Sequence, residues 1–121
     1  LAVDDSSLIR EAVSLALSPI DGWKVLTAPS GEEGLALAGT EMPDVILLDV
    51  MMPGLDGIVV AERLAASPGT RGIPVVMLTA ADRPEDRERL SGLAVAGVIA
   101  KPFQLAALSD QLAALIGPGL P

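Results

Sequence analysis

Apolar residues along the chain fall into two alternating patterns, short unbroken runs and longer stretches at helical spacing. Val45-Ile46-Leu47-Leu48 is the clearest run, and its continuity suits a strand covered on both faces. Residues 73–79 repeat the pattern and end in Thr79. Residues 1–5 read as a strand met near its end, residues 23–28 as a second strand, and residues 97–100 as a short fifth. Between these lie helical segments. Ser6-Ser7 offers a cap to a first helix, whose apolar face is expected to carry Leu8, Ala12, Leu15 and Ala16, with Ile9 and Val13 beside them. Ser30 and Glu33 have capping-box spacing and open a second helix with Leu35, Ala36 and Ala38. Turn signals at Met52-Pro53-Gly54 and Asp56-Gly57 precede a third helix over 58–66. Asp82 is placed to cap a charged fourth helix, whose Arg87, Glu88 and Arg89 read as a solvated face. A fifth carries Leu105, Leu108, Leu112, Leu115 and Ile116 on one side and stops at Gly117-Pro118-Gly119.

Strand and helix alternate five times, which implies a parallel sheet with helices on both faces. All strand ends of one sense then lie on one edge, where open α/β sheets bind ligands. Asp4, Asp5, Asp49, Thr79 and Lys101 are each the polar residue at such an end. Asp49 alone is no more than an acid in a strand-to-helix loop. Five residues from four separate stretches converging on one rim make it a candidate reactive group.

Composition narrows the chemistry. The chain has 121 residues, half of them apolar and a fifth charged, enough for one domain with a substantial core. A net charge of −8 argues against nucleic-acid binding through this domain. No apolar run approaches the ~20 residues of a membrane span, and no basic-then-apolar leader is present, so no membrane contact and a cytoplasmic location are expected. The chain opens without Met, and a few upstream residues are expected. With no Cys there is no disulfide or thiolate metal site; with no His, any phosphorelay histidine belongs to a partner.

These residues resemble the receiver domain of two-component response regulators: Asp4-Asp5-Ser6, then Asp49 with Met52-Pro53-Gly54, then Thr79-Ala80, then Lys101-Pro102-Phe103, each after a buried strand. The resemblance covers residues 1–117, leaving 118–121 as a tail or the start of a linker. It implies a flavodoxin-like, doubly wound (βα)5 fold with strand order 2-1-3-4-5. It implies that Asp49 accepts a phosphoryl group from a histidine kinase or histidine phosphotransfer protein and thereby controls an output domain or partner. A homodimer of the phosphorylated form is a further partner it allows. Three carboxylates in one pocket repel, and a divalent cation relieves the conflict. Oxygen ligands and an open, hydrated sphere favour Mg²⁺. By resemblance Asp5, Asp49 and the Met51 main-chain carbonyl ligate directly, with Asp4 acting through a water. Lys101 and Thr79 meet phosphoryl oxygens, Ala80 leaves room for the group, and Lys101-Pro102 is a cis peptide. The domain is expected to be a signalling module, not an enzyme on other substrates.

The chain also departs from the family's usual pattern. Val98 stands where an aromatic often couples to the threonine, so the face around helix four, strand five and helix five is expected to switch by loop movement and repacking. Met51 and Ala81 flank the site, and neither can orient an attacking water, so a long-lived phosphorylated state is expected. Two rival readings use the same residues. One is a degenerate receiver that binds a partner without phosphorylation. The other is an aspartyl-nucleophile phosphatase resembling the haloacid dehalogenases, which want a second acid where this chain has Met51.

Overall fold

A computed structural model describes residues 1–80 and 84–117. The sheet is built from β1 (Ala2–Val3), β2 (Thr27–Ala28), β3 (Ile46–Asp49), β4 (Val75–Ala80) and β5 (Gly97–Lys101), all parallel, in the order β2-β1-β3-β4-β5. The helices are α1 (Ser7–Leu17), α2 (Gly31–Glu41), α3 (Gly57–Ala66), α4 (Pro84–Ser91) and α5 (Leu108–Ile116), the last entered through a 3₁₀ turn at Leu105–Ala107. The expected fold class and strand order are both present.

Successive strand residues point to opposite faces, and the core divides accordingly. Ile46, Leu48, Val75 and Met77 pack with Ala38 of α2, Ile58, Ala61 and Leu64 of α3, and Leu90 of α4. Val45, Leu47, Val76 and Leu78 pack with Val13 and Leu17 of α1 and with Leu108 and Leu112 of α5. This two-sided burial is why β3 and β4 read as unbroken apolar runs.

Four expectations need correction. The buried face of α1 is Val13 and Leu17, with Ile9 and Ala16 packed beside them, while Leu8 and Leu15 stand 73% and 72% exposed. Apolar residues occupy two sides of this helix, and helical spacing alone does not choose between them. The second strand shrinks from 23–28 to Thr27–Ala28, although Trp23 and Val25 still pack on the core. The first strand is only Ala2–Val3. On the last helix Leu105 lies in the 3₁₀ turn and is 43% exposed. The cap expected at Asp82 lies outside the described residues, as do Ala81 and Pro118-Gly119.

Local capping elsewhere follows the sequence. The Ser6 hydroxyl accepts from the Ile9 N–H and the Ser30 hydroxyl from the Glu33 N–H, each at 3.3 Å. These caps satisfy first-turn donors that have no helical partner.

Candidate functional site

The four chain segments that reach the carboxyl-end rim are placed there by strand register. Asp49 is the last residue of β3 and pairs with Leu78, so Thr79 of β4 lies one residue beyond it. Thr79 pairs with Ala100, and Ala80 with Lys101 at the end of β5. Asp4 and Asp5 follow β1, which lies on the other side of β3. Residues distant in sequence thus meet because each follows a parallel strand of similar depth.

Carboxylate oxygens of Asp4, Asp5 and Asp49 all lie within 4.8 Å of one another. Asp4 is 1% exposed and Asp49 5%, while Asp5 opens to solvent. The Lys101 ammonium bridges the two buried acids, donating to Asp4 Oδ2 at 2.8 Å and to Asp49 Oδ1 at 3.1 Å. The Lys101-Pro102 peptide is cis, as the resemblance implies. The Thr79 hydroxyl donates to the Ala80 carbonyl at 3.3 Å. Met51 is an exposed side chain at the mouth, and Val98 is 45% exposed beside Thr79, Ala80 and Leu90 in an open depression between α4 and β5.

Burial, and then the neighbouring Asp4 charge, push the Asp49 carboxyl up from 3.8 to about 6. Hydrogen bonding and charge from Lys101, and a main-chain hydrogen bond from Met51, oppose that rise without cancelling it. For Lys101, burial works against the charged form, but its bonds to Asp4 and Asp49 prevail and raise its pKa above 10.5. The pocket therefore holds more negative charge than one lysine neutralises. Its donors are all oxygens, which fits a hard divalent cation and suits neither a thiolate nor an imidazole site.

The loop leaving β3 folds back tightly. Gly57 donates to the Val50 carbonyl at 3.0 Å, and a Cβ on Gly57 would overlap the Asp49 carbonyl. Asp56 caps α3, its Oδ1 accepting from the Ile58 and Val59 N–H groups at 2.9 and 3.1 Å. Its other oxygen takes the Arg89 guanidinium of α4 at 2.7 Å. From sequence, Asp56 reads as a turn residue and Arg89 as a solvated cation, so neither role is anticipated. An Asp directly before an apolar helical stretch is a recognised capping signal. Nothing local points to Arg89, 33 residues away.

Comparison with known proteins agrees with this arrangement. Residues 1–113 match the family model described as "Response regulator receiver domain". The chain is 39% identical over 118 residues to "Probable transcriptional regulatory protein TcrX" of Mycobacterium tuberculosis, covering 96% of this chain and 48% of that protein. It is 39% identical over 124 residues to "Phosphate regulon transcriptional regulatory protein PhoB" of Pseudomonas aeruginosa, covering 98% of this chain and 53% of that one. It thus spans about half the length of these relatives. Among solved structures, the chemotaxis response regulator CheY4 of Vibrio cholerae superposes with a TM-score of 0.85 at 34% identity, covering 94% of each chain. Among the described residues, no helix is long and apolar enough to cross a membrane. With strand order, rim and matched sequence in agreement, the chain belongs to the response regulator receiver domain family.

Proposed function

We propose that Asp49 is the phosphoacceptor of this receiver domain, taking its phosphoryl group from a phosphohistidine on a histidine kinase or histidine phosphotransfer protein. The observation that carries this reading is the Lys101 ammonium lodged between Asp4 and Asp49 inside a cluster of three carboxylates. An Asp49 oxygen attacks phosphorus, the P–N bond breaks, and the imidazole nitrogen leaves with the electron pair. A carboxyl at about 6 is mostly ionised at neutral pH, as the attack requires. Asp5, Asp49 and the Met51 carbonyl would hold Mg²⁺, with Asp4 acting through a water, and the ion would supply charge neutralisation where carboxylates and phosphoryl oxygens crowd together. Lys101 exchanges a carboxylate for a phosphoryl oxygen, a task for a point charge. The Thr79 hydroxyl exchanges the Ala80 carbonyl for another, and the small Ala80 leaves room.

The switch follows from that exchange. A new dianion at Asp49 draws Thr79 inward and biases the face formed by α4, β5 and α5. Val98 is exposed beside Thr79, which supports repacking of an aliphatic side chain in place of aromatic rotation. An exposed Met51 offers an attacking water no hydrogen bond, so the acyl phosphate is long-lived. Residues 1–117 form the receiver and 118–121 begin a linker or tail. The relatives' names support transcriptional control as the output of a longer chain.

The test is uptake of label from acetyl phosphate with Mg²⁺ by the parent and by Asp49→Asn. The parent takes up label and the variant does not; equal labelling of the two contradicts the proposal.

A further inference from the structure

The peptide that joins Asp4 to Asp5 carries a contact that the phosphoryl transfer itself does not use. Arg10 lies in α1, where its N–H bonds the Ser6 carbonyl at 3.1 Å. Its half-buried side chain runs back toward the sheet, and Nη1 donates to the Asp4 carbonyl at 2.8 Å. The Asp4 carboxylate is fixed on both oxygens as well. The Ser6 N–H donates to Oδ1 at 2.9 Å and Lys101 to Oδ2 at 2.8 Å. Asp4 thus has its carbonyl and both carboxylate oxygens engaged. Asp5 differs: it is exposed, and among the described residues no hydrogen bond restrains its carboxylate. Its direction depends on the main chain that precedes it.

We propose that Arg10 is a positioning residue for the cation notch, holding the Asp4-Asp5 peptide so that the Asp5 carboxylate leaves the backbone toward Asp4 and Asp49. The inference rests on the reading that these acids hold a divalent ion. The Asp4 N–H is held by the Ala28 carbonyl and the Ser6 N–H by Asp4 Oδ1, so without Arg10 the peptide loses its carbonyl restraint while its flanks stay bonded, and ion binding has to supply the remaining order. Loss of a group that orients a metal ligand typically costs about 10–100-fold in affinity. Electrostatics alone predicts the opposite sign. A guanidinium near a cation site repels the cation, so an Arg10 acting only through its charge would tighten binding when removed. The two roles are therefore separable in one measurement.

Calorimetric titration with Mg²⁺, repeated with Mn²⁺, is made on the full chain and on Arg10→Ala, Arg10→Lys, Arg10→Gln and Asp5→Asn. Circular dichroism confirms that each variant is folded at the titration temperature. The parent binds one ion and Asp5→Asn loses it. Arg10→Ala and Arg10→Gln weaken binding about tenfold, and Arg10→Lys, which keeps the charge but not the planar fork, lies between them and the parent. Binding by Arg10→Gln or Arg10→Ala as tight as the parent's, or tighter, overturns the positioning role and leaves the notch intact. A parent that binds no ion, or binds it equally without Asp5, overturns the notch and the positioning role together. If Arg10→Ala does not fold, the Gln and Lys variants distinguish the same outcomes.

Discussion

Asp49 and Asp56 close the two ends of one connection, between β3 and α3, yet their surroundings move their protons in opposite directions. Asp49 is buried beside Asp4, and burial first, then that like charge, lift its carboxyl to about 6. At Asp56 burial also favours the protonated form, but the Arg89 bond and charge, with the Val59 and Ile58 amides, outweigh it and lower the pKa. Asp49, even with its Lys101 bond, is held in a surrounding that disfavours its charge. Asp56 is satisfied within the chain. The difference separates the proposed phosphoacceptor from a capping carboxylate more clearly than residue type or sequence distance does.

The largest expected effect comes from the residue that holds the two ends together. Gly57→Ala would force a Cβ into the Asp49 carbonyl, and we expect a loss of about 3 kcal/mol or more in urea unfolding. Gly39→Ala is its control: nothing lies within 4 Å of that Cβ, and in α2 the change should gain about 0.5–1 kcal/mol. A mild Gly57→Ala would mean that the loop does not press on the Asp49 backbone.

The next effect is on pH dependence of the metal-free protein. Between 3.8 and about 6 native Asp49 keeps a proton that the unfolded chain has released. Its contribution is therefore most favourable below 3.8 and is lost as pH rises through about 6, by about 3 kcal/mol at most. Asp56 has the reverse sign, with stability present above 3.8 and lost as pH falls through its lowered value. Unfolding measured from about pH 4 to about pH 8 should show a declining contribution that Asp49→Asn removes and Asp56→Asn leaves. A profile unchanged by Asp49→Asn would show that the notch does not burden this carboxylate.

The smallest effect is that of the cap. Asp56→Ala removes two amide hydrogen bonds and should cost about 1 kcal/mol. The exposed Arg89 pair adds little to that, so Arg89→Ala alone should change stability by less than about 1 kcal/mol. Phosphoryl uptake should be unchanged in Asp56→Ala. A loss of uptake there would give the second acid a part in the reaction.

The same contrast explains what is legible in the sequence. The rim is readable because each of its residues ends a buried run, and parallel β-strands with helical crossovers bring such ends to one edge. Asp4, Asp5, Asp49 and Lys101 need no side-chain detail to be grouped. The bridging of Asp4 and Asp49 by Lys101 does, because register alone does not say which acceptors an ammonium reaches. Arg89 and Arg10 are not legible as contacts, since a cation on an amphipathic helix looks solvated until its neighbour is placed. The buried face of α1 differs from expectation because both sides of that helix carry large aliphatics, leaving Leu8 and Leu15 exposed. The second strand is shorter than its apolar pattern: Trp23 and Val25 lie outside the ladder yet pack on the core, and core burial alone gives such a pattern.

The most direct test asks where the phosphoryl group sits. Protein labelled with acetyl phosphate and Mg²⁺ is treated with borohydride, which reduces an aspartyl phosphate to homoserine, and the modified position is read by peptide sequencing. Homoserine is expected at position 49 alone. Homoserine at position 4, 5 or 56, or none in protein that has taken up label, would contradict Asp49 as the phosphoacceptor.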